Sequence, residues 1–139
     1  MVEGRCLCGA VRFVIDGDLP ETRLCYCENC RRANGTVFSA NIRVLRERYT
    51  LVSGGEAVRE YESSPGVFRA FCTKCGSPVH ARVEREPEAI RIRLGALPGN
   101  VGVTISAHVW TRSKPVWYEI VDELPVYEEA FDSALIEKS

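Results

Sequence analysis

The sequence predicts a mainly β fold, built from antiparallel, half-buried sheets with only short helices. Three observations carry this. Apolar and polar residues alternate with a period of two along most of the chain. Glycine and proline turns punctuate those runs at short intervals. Segments with a period of 3.6 are scarce. With 139 residues and no repeat, low-complexity tract or Pro/Ser-rich linker, the expected organisation is a single domain over residues 1–139.

Each element follows from its local pattern. "VRFVI" (11–15) is a strand that ends at Asp16-Gly17. A short helix is expected from Glu28 to Ala33, stopped by Asn34-Gly35, a pair suited to a left-handed C-terminal cap. "YTLV" (49–52) ends at Gly54-Gly55. "AVREYE" (57–62) and "VFRAFC" (67–72) flank the turn "SSPG" and read as a hairpin. In "PVHARVE" (78–84), Val79, Ala81 and Val83 share one face while His80, Arg82 and Glu84 share the other. "IRIRL" (90–94) sets Ile90, Ile92 and Leu94 against Arg91 and Arg93. A further strand is expected in "GVTISAHVW" (102–110), and a second helix in "EEAFDSALIEK" (128–138), opened by acidic residues.

Composition narrows the function. Apolar residues make up 45% and charged residues 27%, as in a soluble globular protein. A net charge of -1 offers no electrostatic footprint for nucleic acid or an anionic membrane. No apolar run approaches the roughly 20 residues of a membrane span, and "MVEGRCLCGA" lacks a secretory signal pattern. The expected location is the cytoplasm, where thiols stay reduced. Seven cysteines there, an odd number, favour metal binding over disulfides.

The thiols fall into three groups: Cys6-x-Cys8, Cys25-x-Cys27-x-x-Cys30 and Cys72-x-x-Cys75. The last, in "FCTKCGS", has zinc-knuckle spacing, with Gly76 supplying a permissive backbone. Cys6 and Cys8, two apart at the start of a strand-like segment, point to one side and complete a four-thiolate set, closed and structural. Three thiols remain in "LCYCENCR". They can cap one face of a tetrahedron and leave an exchangeable corner, the mark of a catalytic zinc site. A fixed fourth ligand, His108 or His80, is the alternative, and a partition pairing Cys6 and Cys8 with two of the trio also stays open.

"GRCLCGAVRF", "CYCENCRRANGTVF", "SSPGVFRAFCTKCGSPV" and "HVWTRSKPVWYEI" resemble the glutathione-dependent formaldehyde-activating enzyme family, which also includes the CENP-V proteins. The resemblance covers roughly residues 4 to 120. It implies antiparallel sheets organised around zinc, of the β-tent type. It also implies two zinc sites: a structural one at Cys6, Cys8, Cys72 and Cys75, and a labile, partly occupied one at Cys25, Cys27 and Cys30, the catalytic trio. The implied reaction is that of a carbon–sulfur lyase read in reverse, in which a small thiol such as glutathione adds to formaldehyde or a related aldehyde. The expected partners are therefore a thiol and an aldehyde, with a homodimer as an option for assembly. Neither a membrane nor nucleic acid is expected. One departure stands out: Tyr26 occupies a position where the family often has histidine.

Other residues carry two readings each. Arg31 and Arg32 could clamp substrate carboxylates or be solvated arginines on a short helix. Arg69, on a face with Val67 and Phe71, could line a cleft or cap a sheet edge. Glu28 could act as a base but better suits the start of the helix. The resemblance brings His108 toward the pocket, while Phe38 reads as core. A non-catalytic zinc module for a protein or nucleic-acid partner, or a redox-sensing thiol cluster, are rival functions.

Overall fold

Alternation decides most strand positions in the computed structural model, which describes residues 1–130 and the two-residue strand at 135–136. Along the chain the elements are β1 (Val2–Arg5), β2 (Arg12–Ile15), β3 (Thr22–Cys25), α1 (Glu28–Asn34), β4 (Ser39–Leu45), β5 (Tyr49–Ser53), β6 (Val58–Ser64), β7 (Val67–Cys72), β8 (Pro78–Val83), β9 (Ala89–Arg93), β10 (Ile105–Val109), β11 (Val126–Tyr127) and β12 (Leu135–Ile136). Two compact units result. The first holds Met1–Pro20 and Asn41–Val103; the second holds Glu21–Ala40 and the described chain from Thr104 onward.

The first unit contains a three-stranded antiparallel sheet, β1-β2-β5, and an antiparallel run in the order β4-β9-β8-β7-β6. Its core gathers Phe13 and Ile15 from β2, Ile42 and Val44 from β4, Val79 from β8, and Ile90 and Ile92 from β9. Cys6 and Cys72 lie in the same cluster. As the pattern predicts, Val79, Ala81 and Val83 are buried while His80 and Arg82 are half-buried. β9 departs from its pattern. Arg93 is only 4% exposed, and its Nη1 donates to Oδ1 of Asn41, its cross-strand partner, at 2.8 Å.

Two strands of this unit escape sequence reading for local reasons. β1 ("VEGR") carries a glycine in its middle, which weakens a strand. That glycine is required because the Phe13 ring lies across it, and a Cβ on Gly4 would come within 2.2 Å of the ring. β4 ("SANIRVL") alternates only over its second half. The Cys6-x-Cys8 segment is also corrected: it forms the turn joining β1 to β2, not the start of a strand.

His80 gives this unit a pH dependence. Its Nδ1 pairs with the Tyr49 hydroxyl at 3.1 Å. Burial pushes the imidazole down to about 4, with Arg46, Arg93 and Arg82 reinforcing the effect and Glu60 opposing it. An unfolded histidine titrates near 6.5, so the neutral folded form contributes its full stability above that value and loses it as pH falls toward 4. Lowering the pH from 7 to 5 therefore costs about 2 kcal/mol through this residue. Thermal melts of wild type and His80→Gln across that range should show a shallower loss in the variant. Parallel pH profiles would refute this assignment.

In the second unit β10 is central, parallel to β3 on one side and to β11 on the other, and β12 runs antiparallel to β11. The expectation of purely antiparallel sheets fails here. Parallel neighbours need a long connection rather than a tight turn, and β3 and β10 lie far apart in sequence. Their length also hid them: β3 ("TRLC") and β11 are too short to show a period. The helix expected over 28–33 is α1. Gly35, at φ 68°, caps its C-terminus and donates its N–H to the Arg31 carbonyl at 2.8 Å. Of the second expected helix, residues 131–134 and 137–138 lie outside the described residues, and Leu135–Ile136 is strand. No helix among the described residues is long and apolar enough to cross a membrane.

Candidate metal centres

Two cysteine groups could hold a metal ion. The first unit contains Cys6, Cys8, Cys72 and Cys75, and within each group all the sulfurs lie within 4.8 Å of one another. Cys6 and Cys8 Sγ are 3.6 Å apart, and Cys8 and Cys72 Sγ 3.9 Å. Four sulfurs about 2.3 Å from a tetrahedral zinc would stand about 3.8 Å apart. The spacing of these two pairs and the chemistry of the donor set fit that ion.

Two loops build this group. In the β1–β2 turn, the Cys6 N–H donates to the Val11 carbonyl at 3.0 Å and the Val11 N–H donates to Cys6 Sγ at 3.3 Å. After β7, the Gly76 N–H closes onto the Cys72 carbonyl at 2.7 Å, a turn that needs φ 78° at Gly76. Ser77 joins the loops. Its hydroxyl oxygen accepts from the Leu7 N–H at 3.0 Å and lies 3.2 Å from Cys75 Sγ.

The thiols divide in their acidity. The Ser77 hydroxyl, followed by backbone donors near Cys8 and Ser77, holds Cys75 down to about 5. At Cys8 a backbone hydrogen bond from Ala10 lowers the value. Desolvation and the thiols of Cys6, Cys75 and Cys72 outweigh it and push Cys8 up to about 11. Four crowded thiols cannot all ionise on their own; a bound cation deprotonates its thiol ligands outright.

The second unit contains Cys25, Cys27 and Cys30. Cys25 ends β3, and Cys27 and Cys30 belong to the start of α1. Cys27 is the N-cap: its Sγ accepts from the Cys30 N–H at 3.2 Å. Hydrogen bonds with Cys27 and Cys30, then burial, raise the Cys25 thiol far above its ordinary range. Cys27 is also raised, because Cys30 and burial outweigh the lowering by Cys25. Among the described residues this group has no fourth cysteine, histidine or carboxylate.

Neither histidine proposed as a fourth ligand joins the trio. His80 belongs to the first unit and pairs with Tyr49. His108, only 2% exposed, has both ring nitrogens engaged. Its Nδ1 lies 2.7 Å from Tyr26 Oη, and its Nε2 lies 2.9 and 3.1 Å from the two carboxylate oxygens of Asp122. Tyr26 is fully buried and stacks near Phe38 and Tyr118, with ring centroids 5.6 and 6.2 Å away. Burial, then the neighbouring Tyr118 and Asp122, pushes its hydroxyl well above the ordinary tyrosine range.

The expected substrate residues separate. Arg31, on α1 next to Cys30, has a buried Nε that finds no hydrogen-bond partner among the described residues. Arg32 is exposed and bound to Glu28 through Nε and Nη2 at 3.1 and 2.8 Å. Glu28 thus serves the helix. Arg69 lies on β7 in the first unit, where its Nε donates to Ser63 Oγ at 2.9 Å. Sequence reading missed Asp122 and Tyr118, which sit in an irregular loop with no period to mark them.

Comparison with known proteins places the chain among named relatives. Residues 1–113 match the family model described as glutathione-dependent formaldehyde-activating enzyme. A Halomonas elongata protein named for glutathione-dependent formaldehyde activation is 31% identical over 86% of this chain and 81% of its own length. A Schizosaccharomyces pombe protein named as a lyase is 27% identical over 90% of this chain and 89% of its own. A crystal structure of a Rhodobacter sphaeroides protein superposes with a TM-score of 0.59 at 25% identity, covering 70% of this chain and 88% of the other.

Proposed function

The chain belongs to the glutathione-dependent formaldehyde-activating enzyme family, and from that membership we propose that it joins a small thiol, glutathione or a close analogue, to formaldehyde. The observation that carries this reading is the inequality of the two thiol groups: one has four ligands, the other three. The first would hold a structural zinc. The second would hold a zinc with an exchangeable corner. When bound there, zinc supplies the acidity that turns a substrate thiol into a thiolate at neutral pH.

The chain's own residues do the rest. Cys25, Cys27 and Cys30 hold the site, and α1 fixes two of them through its N-cap. Arg31, beside Cys30, is the arginine we assign to a substrate carboxylate: its Nε is buried without a partner among the described residues, and its planar guanidinium suits such a pairing. Tyr26 is not the base: burial keeps it neutral, and its O–H points at His108. In the reaction the substrate S–H bond is lost and a carbon–sulfur bond forms to the carbonyl carbon. The proton ends on the carbonyl oxygen, giving an S-hydroxymethyl product. Three thiolate ligands would leave a metal held there a weak Lewis acid, so positioning by the chain would contribute at least as much as activation.

The direct test is turnover of formaldehyde with glutathione by protein carrying two zinc ions per chain. No acceleration over the uncatalysed rate would remove the substrate assignment. Arg31→Ala should raise KM for glutathione about tenfold or more, the value of a charged hydrogen bond, while Arg32→Ala should stay within about twofold, as exposed ion pairs do. Equal effects would deny Arg31 its special place.

A further inference from the structure

We infer that Asp122, His108 and Tyr26 form a hydrogen-bonded chain that sets the positions of Cys25 and Cys27 and so fixes the metal affinity of the three-cysteine group. The inference rests on that group being a metal site, as proposed above. It concerns side chains that do not themselves belong to the donor set.

Geometry carries it. Tyr26 stands between two of the three thiols, and along an extended segment alternate side chains point to opposite sides. Cys25 and Cys27 therefore share one side and Tyr26 takes the other, where it is fully buried. β10 holds Tyr26 at two points. The Tyr26 N–H donates to the Val109 carbonyl at 3.0 Å, and the Tyr26 hydroxyl meets Nδ1 of the preceding residue, His108, at 2.7 Å.

The far end is also fixed. The His108 N–H donates to the Pro125 carbonyl at 2.9 Å, and Asp122 Oδ1 accepts from the Leu124 N–H at 2.9 Å. A carboxylate only accepts, so Nε2 carries the proton shared with Asp122, and in the neutral ring Nδ1 then accepts from the tyrosine hydroxyl. Every polar atom of this relay then has a partner of the right kind. Partners hydrogen-bonded to a metal ligand orient it, and their loss costs about 10–100-fold in metal affinity; this relay acts one step removed, by fixing the residue that joins two of the ligands.

The test uses Tyr26→Phe, which keeps the buried ring and removes only the hydroxyl. Cobalt(II) is loaded as a spectroscopic probe, and zinc affinity is measured at each group by competition with a chelator. The expected result is a 10–100-fold weaker second site, an altered thiolate-to-cobalt absorption and an unchanged first site. A folded Tyr26→Phe protein with wild-type affinity and spectrum at both sites would overturn the inference. Should Tyr26→Phe not fold, Asp122→Ala gives the second reading: the half-exposed carboxylate is removed and the same selective weakening is expected, its absence being a refutation. Failure of the wild type to bind a second metal at all is a different outcome, and it overturns the functional reading together with this one.

Discussion

Replacing Cys72 with serine should leave the chain without a cooperative thermal unfolding transition and without metal at the four-cysteine group. Cys72 ends β7, has no exposed surface, and belongs to the same apolar cluster as Phe13 and Val79. Its sulfur is also one of four that, around a single ion, would tie the β1–β2 turn to the turn after β7. A structural zinc contributes about 10–16 kcal/mol in small peptides, whereas a whole domain is stable by only 5–15 kcal/mol. Losing one ligand of four, and leaving a hydroxyl among apolar groups, therefore exceeds what the remaining core can offset. Circular dichroism melts and metal analysis of Cys72→Ser check this. A sigmoidal melt within a few degrees of wild type would show that the core stands without the ion.

Cys27→Ser should behave in the opposite way. The protein should fold, retain one metal per chain instead of two, and lose formaldehyde turnover by at least about a hundredfold, the scale of a lost catalytic group. Stability survives because serine is itself a favoured N-cap and can accept from the Cys30 N–H where the sulfur did. Cys27→Ala removes both functions, and its unfolding free energy should fall by a further ~1 kcal/mol. Metal content, melting and turnover measured on the three proteins separate the roles. If Cys27→Ser and Cys72→Ser unfold alike, the division into structural and catalytic groups is wrong.

The grouping of the cysteines was legible in the sequence because cysteine spacing is a local property. Two pairs at CxC and CxxC and a trio in six residues are visible without a fold, and the structure groups them as four and three. The strands of the first unit were legible for a related reason: in β8 one face is buried and the other is not, so alternation survives. Legibility stopped where function depends on distant partners. That Tyr26 would meet His108 follows from the parallel pairing of β3 with β10, that Asp122 lies near His108 goes with the pairing of β10 with β11, and nothing in these short strands announces its neighbour. Arg31 and Arg32 were equivalent as letters. Only the turn of α1 gives Arg32 to Glu28 and leaves the Arg31 Nε inside.

The span of the four-cysteine group has a consequence for the order of events on the ribosome. Cys6 and Cys8 are made early, but Cys75 follows only after most of the first unit has been synthesised. At about 5–20 residues per second this delay is roughly 3–14 s, during most of which the four-cysteine group has only two of its own thiols to offer an incoming ion. Tight metal capture must therefore wait for the β7 turn to leave the exit tunnel. A pause in translation before that turn prolongs the life of a half-built, oxidisable pair, and one after it does not.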